Sequence, residues 1–175
     1  MKATDFLHAL RLSMPTEEEL RLYGLDENEI GNIQGGFMAT PRAGAPSPPL
    51  VAGEIGQLVE RYDCKSIEVG IVHFDQKLTS AYDGYKFGAC ESDPLVINHL
   101  GNVLMYEHSN AKHPPEICAI SPEKFLDALA AFVEIRASRA GWAGKVEDAI
   151  KKCCLASGVS SARSFYASIC SFLDV

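Results

Sequence analysis

The sequence lacks a long hydrophobic run. Its longest uncharged stretch covers only residues 94–106, whereas a membrane-spanning helix needs roughly 20 apolar residues. The first residues also differ from a secretory signal peptide, because Asp5, His8 and Arg11 interrupt any apolar segment. We therefore expect a protein that does not contact a membrane and that resides in the cytoplasm.

Basic residues are outnumbered by acidic ones. The chain has 16 Lys and Arg against 23 Asp and Glu, for a formal net charge of −7. Because binding to a phosphate backbone needs clustered cations, we expect no direct contact with nucleic acid. The charge is uneven: residues 1–36 carry three bases and seven acids, whereas residues 136–175 carry six bases and three acids. An acidic body attracts a basic partner, since opposite electric fields speed association.

The short motifs of the common enzyme classes are absent. The sequence contains no phosphate-binding loop, no dinucleotide-binding glycine pattern, no serine-hydrolase elbow and no zinc-protease helix motif. The C-x-x-C spacing of a zinc knuckle or a thioredoxin-type site is missing too. We therefore predict no catalytic residue, no cofactor-binding residue and no metal ligand, and we expect a protein without a cofactor that is not an enzyme.

The chain has six cysteines, and a reducing cytoplasm favours free thiols over disulfides. We expect most of them to act as small buried apolar groups. In the vicinal pair Cys153–Cys154, we expect one side chain to face the core and the other to lie near the surface. Lys151 and Lys152 beside that pair leave a redox role open.

Two kinds of catalytic site remain as alternatives, a metal centre and a thiol nucleophile. Imidazole and carboxylate groups suit zinc or iron. Their spacing argues against a shared site, because two adjacent residues on a strand point to opposite faces of the sheet. A small metal- or Cys-dependent hydrolase would use His99, Glu107, His108 and His113 for the ion, or Cys90 or Cys118 with a distant histidine as the base.

The N-terminal part of the chain is predicted to be helical. Thr16 and Glu19 form a capping box, in which each side chain accepts a hydrogen bond from the backbone N–H of the other residue, so a helix begins there. Pro and Gly are frequent in residues 41–53, which indicates a connector. The other helices predicted before the sheet cover residues 4–12, 26–34 and 54–62.

The centre of the chain is predicted to be an antiparallel sheet and the last third to be helical. Runs of β-branched and aromatic residues indicate strands, and their short connections exclude parallel neighbours. Ser121 and Pro122 favour a helix start, and Ser160 or Ser161 is expected to cap the last helix. The predicted strands cover residues 66–74, 79–89 with a turn at Asp83-Gly84, 95–98, 103–108 and 116–120.

This order of elements predicts an α+β fold: N-terminal helices, a mainly antiparallel sheet and a C-terminal helical segment. Segregated helices and strands are typical of that class, whereas α/β folds alternate them. The length of 175 residues fits one domain.

The layout of two segments resembles a known family. In residues 94–133, a strand is followed by Gly101-Asn-Val-Leu-Met-Tyr106 with His108, a short strand Ile117–Ile120, and Ser121-Pro-Glu-Lys-Phe125-Leu126 at a helix start. Upstream lie Pro15-Thr-Glu-Glu-Glu-Leu20 and Gly35-Gly36-Phe37. These features resemble the SUKH superfamily, named for Smi/Knr-type cell-wall regulators, Us-type herpesvirus proteins and Syd.

The resemblance implies a SUKH-like α+β core over residues 1–135, with residues 136–175 as a helical extension packed on the same domain. It also implies a non-enzymatic, immunity-like bacterial protein that binds and neutralises a toxin, in many cases a nuclease. The partner would then be a basic toxin domain, which suits the acidic charge of this chain.

The predicted partner-binding surface combines acidic and aromatic side chains. Acids on the first helices would face a basic partner, and tyrosines are enriched in protein interfaces. A structural or regulatory role as an oligomer formed through the basic C-terminal helices stays open, as does the oligomeric state. The candidate contact residues are Glu17, Glu18, Glu19, Asp26 and Glu27, with Tyr82 and Tyr85 at an aromatic edge of the sheet.

Overall fold

The computed structural model describes residues 1–110, 113–138 and 146–171 of the 175-residue chain. Helices come first, then a sheet, then helices, so the predicted α+β fold is confirmed. The helices before the main sheet are α1 (Ala3–Leu12), α2 (Glu17–Leu22), α3 (Glu27–Gly35) and α4 (Gly53–Arg61), with a 3-10 turn at Leu50–Ala52.

The strands form one small and one large antiparallel sheet. The small sheet pairs β1 (Thr40–Pro41) with β2 (Tyr62–Asp63). The large sheet follows chain order, as short connections predict. Its strands are β3 (Glu68–Val69), β4 (Val72–Ala81), β5 (Gly84–Cys90), β6 (Asp93–Asn98), β7 (Val103–Met105) and β8 (Glu116–Ala119).

The prediction of one continuous strand over residues 66–74 is wrong. Gly70 has a left-handed φ of 63° and reverses the chain between β3 and β4, a conformation that a β-carbon disfavours. Thr79, predicted to begin the next strand, therefore belongs to β4, and the following turn consists of Tyr82 and Asp83. The strand predicted over residues 103–108 ends at Met105.

The sheet is curled because β5 approaches its neighbours very closely. A β-carbon at Gly88 would lie 2.1 Å from the carbonyl oxygen of His73 on β4. The register shifts in both the β4–β5 and β5–β6 pairs, and such irregularities increase the local twist. The ring of Tyr82 in the β4–β5 turn stacks on that of Tyr106, the residue after β7, although β5 and β6 lie between β4 and β7 in the sheet.

The inner face of the sheet packs on α5 (Pro122–Ala137). This helix begins as predicted, with the Ser121 hydroxyl accepting the Lys124 N–H at 3.2 Å and proline in the first turn. The ring of Phe125 lies 5.6 Å from that of Phe87 on β5 and 6.0 Å from that of Phe165. Side chains of α6 (Val146–Ser157) and α7 (Arg163–Cys170) belong to the same core as the sheet.

The start of α7 is held by a distant carboxylate. The predicted cap at Ser160 or Ser161 is wrong, because Ala162 occupies the N-cap and makes no side-chain hydrogen bond. Glu116 at the start of β8 accepts hydrogen bonds from the Ser164 hydroxyl at 2.6 Å and the Phe165 N–H at 3.3 Å. A negative charge at this position is also favoured by the helix dipole.

The six cysteines are free and buried. The prediction that one member of the Cys153–Cys154 pair lies near the surface is wrong, because both are buried. The reason is that α6 packs against α5 on one side and against α7 on another, so it has two buried sides. Trp142, and the predicted apolar positions Phe172 and Leu173 of the last helix, lie outside the described residues.

The helices of the described ranges are too short or too polar to cross a lipid bilayer. The longest of them, α5, has 16 residues.

Candidate functional site

The helices α2 and α3 each begin with a capping box. The Thr16 hydroxyl accepts the N–H of Glu19 at 3.2 Å, and the Glu19 carboxylate accepts the N–H of Thr16 at 2.8 Å, so this prediction is confirmed. Asp26 and Glu29 make the same pair of bonds at 2.9 and 2.8 Å. Glu19 and Asp26, two of the predicted contact residues, therefore hold helix ends and also contribute negative charge.

The other three predicted acids are less involved in the fold. Glu17 accepts a hydrogen bond from the Arg21 guanidinium at 2.5 Å, and the same guanidinium lies 3.6 Å from Glu27. Glu18 makes no hydrogen bond or ion pair with any described residue. Since residues 16–36 contain six acids and Arg21 as their one base, this part of the surface is strongly negative.

Exposed apolar side chains accompany these acids. Leu22 is 83% exposed and Tyr23 is 74% exposed, and an open concavity brings Leu22 together with Glu17 and Glu18. Surface composition of this kind, apolar residues within a charged rim, is typical of protein interfaces. We call this surface the acidic face; it consists of Glu17, Glu18, Glu19, Leu22, Tyr23, Asp26 and Glu27.

The acidic face sits on helices that bury little of their own surface. In α2 and α3 only Leu20 and Ile30 are buried. Behind the helices, a cleft of about 270 Å³ separates Leu20 and Ile33 from Phe132 on α5. Leu20 and Ile30 are not part of the acidic face, so a partner could contact Glu18, Leu22 and Tyr23 without displacing core side chains.

The aromatic part of the predicted surface lies elsewhere. The expectation that Tyr82 and Tyr85 mark a sheet edge is wrong, because β5 is an interior strand of the order β3-β4-β5-β6-β7-β8. Tyr82 lies at the C-terminal end of β4. The cleft behind the acidic face reaches Val69, which pairs with Val72 at the other end of that strand. The structure therefore does not join the tyrosines and the acids into one surface.

Tyr82 instead belongs to a small arrangement that fastens the β4–β5 turn. Its ring lies 4.2 Å from that of Tyr106 in a stacked geometry. The Tyr106 hydroxyl donates a hydrogen bond to Asp83 at 2.5 Å. Burial, together with this carboxylate, raises the pKa of Tyr106 well above its usual value.

A second surface lies at the end of the main sheet where β5 and β7 end and β6 and β8 begin. Cys90, Asp93, Met105 and Glu116 occupy these four strand ends. Helix α7 covers this end, since Glu116 binds its first turn. Between sheet and helix lies a groove of about 570 Å³, which we call the strand-end groove; Ile71, Glu91, Ser164, Phe165, Ser168 and Ser171 also line it.

Three carboxylates give the strand-end groove a negative charge. Glu91 occupies the β5–β6 turn with a left-handed φ of 52°, and its carboxylate pairs with no described residue. Asp93 accepts hydrogen bonds from the backbone N–H of His108 at 2.9 Å and from its ring Nδ1 at 2.6 Å. Burial acts to raise the pKa of Asp93, but these bonds outweigh it and hold the pKa below the usual value.

Cys90 lies at the wall of the same groove. Burial, and after it the charges of Glu91, Asp93 and Glu116, raises the pKa of its thiol to about 12. The thiol is therefore protonated at neutral pH and is a poor nucleophile. Cys118, the other thiol considered as a nucleophile, is fully buried, and burial raises its pKa well above the usual value.

The histidines considered as metal ligands are spread over the β6–β7 hairpin. His99 lies in its turn, whereas His108 pairs with Asp93 at the opposite end of β6. His113 Nδ1 is 4.0 Å from Glu107. In residues 1–110, 113–138 and 146–171, no group of three or more His, Cys, Asp or Glu side chains is arranged to hold a metal ion.

The groove residues Glu91, Asp93 and Glu116 were not predicted as site residues. The one signal in the sequence is the pair of acids in Glu91-Ser-Asp93 between two strands. Glu116 is distant in the chain and joins them only through the sheet order.

Comparisons of the chain with protein-family models, with curated proteins and with solved structures found no match. The resemblance to the SUKH superfamily therefore stays a prediction.

Proposed function

We propose that the chain is a non-enzymatic protein-binding module of the bacterial immunity type that acts in the cytoplasm. It neutralises a basic toxin domain, such as a nuclease, by direct binding. The observation that carries the proposal is the acidic face, where Glu18 and the exposed Leu22 line one concavity on α2. The exposed Tyr23 and Glu27 follow within five residues of the chain, and α2 and α3 bury little surface. The SUKH-like motif layout supports the same function.

Charge and apolar area contribute to binding in different ways. Unpaired surface carboxylates raise the rate of encounter with a basic partner and make association depend on salt. Burial of Leu22 and Tyr23 against the partner supplies affinity, because apolar and aromatic side chains at the centre of an interface dominate its energy. A nuclease toxin is basic where it contacts phosphate, so an acidic inhibitor can cover that surface.

The structure offers variants that separate binding from folding. Glu18 has no partner among the described residues, and Glu27 makes only a long contact with Arg21. Replacing both with glutamine removes two charges and leaves the capping boxes intact. A matched control, Glu134→Gln with Asp148→Asn, removes two exposed charges from α5 and α6.

The test is growth of cells that express the product of the neighbouring gene together with this chain. We expect the neighbour to be toxic alone and harmless with the wild-type chain or the control variant. The Glu18→Gln/Glu27→Gln variant should protect less. A harmless neighbour, or full toxicity in the presence of the folded chain, would contradict the immunity function.

A further inference from the structure

We infer that Cys153 on α6 and Cys170 on α7 form a redox-modification site, a dithiol that a hydroperoxide oxidises to a disulfide joining the two helices. Both side chains are fully buried, and both residues are free thiols in this structure. The site goes beyond the proposed function, because it lies on the C-terminal helices and shares no residue with the acidic face.

The packing of α6 against α7 sets the two thiols opposite each other. Only residues 158–162 connect these helices, and so short a connection makes the pair antiparallel. Near the connection, the Tyr166 hydroxyl is in hydrogen-bonding contact with the Ser157 side chain. Cys153 lies four residues before Ser157 and Cys170 four residues after Tyr166, and residues four apart share one face of a helix. The two cysteines therefore face each other one turn further from the connection.

The two thiols are in direct contact. The S–H group of Cys153 donates a hydrogen bond to the sulfur of Cys170. This bond lowers the pKa of Cys170 in spite of burial, whereas the pKa of each of the other five cysteines is raised. Because the thiolate is the reactive form, Cys170 is the nucleophile of the pair and Cys153 is the thiol that resolves it.

The geometry fits two other uses of these thiols less well. Cys154 is adjacent to Cys153 on α6, and neighbouring residues of a helix do not face each other, which disfavours a bond within that pair. In the described parts of the chain, no group of three or more His, Cys, Asp or Glu side chains is arranged to hold a metal ion. A disulfide needs only the two sulfur atoms that are already in contact.

The oxidant reaches the site through the end of α7. Cys170 is the last residue of this eight-residue helix. Apart from the thiol pair, the described side-chain bonds between α7 and other elements involve residues 163–166, in its first half. Those of Ser168 and Ser171 stay within the helix or its C-cap. Since terminal turns open at a lower free energy than the core, Cys170 becomes accessible when the last turn opens.

Hydrogen peroxide drives the oxidation in two steps. The Cys170 thiolate attacks one oxygen of the peroxide, the O–O bond breaks, and the sulfur becomes a sulfenic acid while hydroxide leaves. The Cys153 thiol then attacks that sulfur, an S–S bond forms, and water leaves. The hydroxide takes up the proton that Cys170 had lost, so two thiols and one peroxide give one disulfide and two waters. Exchange with small thiols reverses the oxidation.

The experiment treats the reduced whole chain with hydrogen peroxide, alkylates the remaining thiols in urea and maps the product by mass spectrometry. Trypsin cuts after Lys152 and Arg163, so the disulfide joins peptide 153–163 to peptide 164–175. We expect this link, with the other four cysteines alkylated, and its loss after reduction with dithiothreitol. Fragmentation of the joined peptides should assign the bond to Cys153 and not to Cys154.

Three variants test the roles of the thiols. Cys170→Ser should abolish the link, and Cys153→Ser should leave Cys170 as a sulfenic acid that dimedone traps. Cys154→Ser is the matched control, because it removes a buried thiol from the same helix and should leave the link unchanged.

The wild-type map decides the inference even if a variant fails to fold. A folded wild-type chain that stays unlinked at peroxide concentrations that oxidise free cysteine would overturn it. A link made through Cys154, or loss of the link in the folded Cys154→Ser control, would overturn it as well.

Discussion

Gly84 lies directly against the carbonyl oxygen of Ile97 on the neighbouring strand, where a β-carbon would come within 1.9 Å. No side chain fits at that distance, so β5 and β6 can pair in this register only with glycine at residue 84. Gly84 also follows directly after the turn residues Tyr82 and Asp83, of which Tyr82 stacks on Tyr106.

Substitution of Gly84 by alanine should therefore destabilise the fold. The added methyl group must push β5 away from Ile97, and such overpacking costs about 1–3 kcal/mol of the free energy of unfolding. Gly31→Ala is the matched control, because nothing lies within 4 Å of a β-carbon there and the residue is inside α3. That control should stabilise by about 0.5–1 kcal/mol. Urea denaturation measures both, and a Gly84→Ala protein as stable as the wild type would contradict the observed strand pairing.

The hydrogen bond between Tyr106 and Asp83 should fasten the turn. Tyr106→Phe keeps the ring stacking and removes the bond, so we expect a loss of about 0.5 kcal/mol, the low end for an exposed hydrogen bond. The pKa of Tyr106 is raised on folding, so its contribution to stability is complete below its usual pKa of about 10 and declines as the pH rises through the folded value. Part of the alkaline loss of stability should disappear in Tyr106→Phe. Tyr23→Phe, which removes an exposed hydroxyl elsewhere, is the control. If the free energy of unfolding of Tyr106→Phe falls with alkaline pH just as that of the wild type does, the bond is not formed in solution.

The pKa of Asp93 should rise when the His108 side chain is removed. The pKa of Asp93 is lowered on folding, so the interaction stabilises the protein above the usual carboxyl pKa of about 3.9 and is lost as the pH falls through the folded value. His108→Ala should raise the pKa of Asp93 toward its usual value, measured by the carboxyl carbon shift during an NMR titration. His73→Ala, which removes a histidine paired with Glu68, should leave it unchanged.

The buried thiols should react slowly in the folded protein. Burial and neighbouring carboxylates keep Cys90 protonated, and the thiolate is the reactive form. Iodoacetamide at neutral pH should therefore modify Cys90 far more slowly in the native state than in urea, as followed by mass spectrometry. Native modification at the rate of a free thiol would contradict the geometry of the groove.

Local features of the fold could be predicted from the sequence, and long-range ones could not. The capping box at Thr16 and the helix start at Ser121 depend on residues within three positions of each other. The cap of α7 comes instead from Glu116, 49 residues before Phe165. The sequence does not show which strand end contacts which helix. We therefore expected a local cap at Ser160 or Ser161.

The two candidate surfaces also differ in whether they could be predicted from the sequence. The acids of α2 and α3 lie within one short segment and could be found from composition alone. The strand-end groove needs the order of four strands before Glu91, Asp93 and Glu116 come together. Tyr82 and Tyr85 were expected at a sheet edge, and the sequence gives no local sign that Tyr82 stacks on Tyr106, which lies 24 residues further along the chain.

The central claim, that the acidic face binds a basic protein, is tested most directly by calorimetric titration of the purified chain with the neighbouring-gene product at low and high ionic strength. The account predicts saturable one-to-one binding that weakens with salt. The Glu18→Gln/Glu27→Gln variant should bind more weakly and depend less on salt, while Glu134→Gln/Asp148→Asn should match the wild type. Absence of binding, or binding that neither salt nor the Glu18→Gln/Glu27→Gln variant weakens, would contradict the claim.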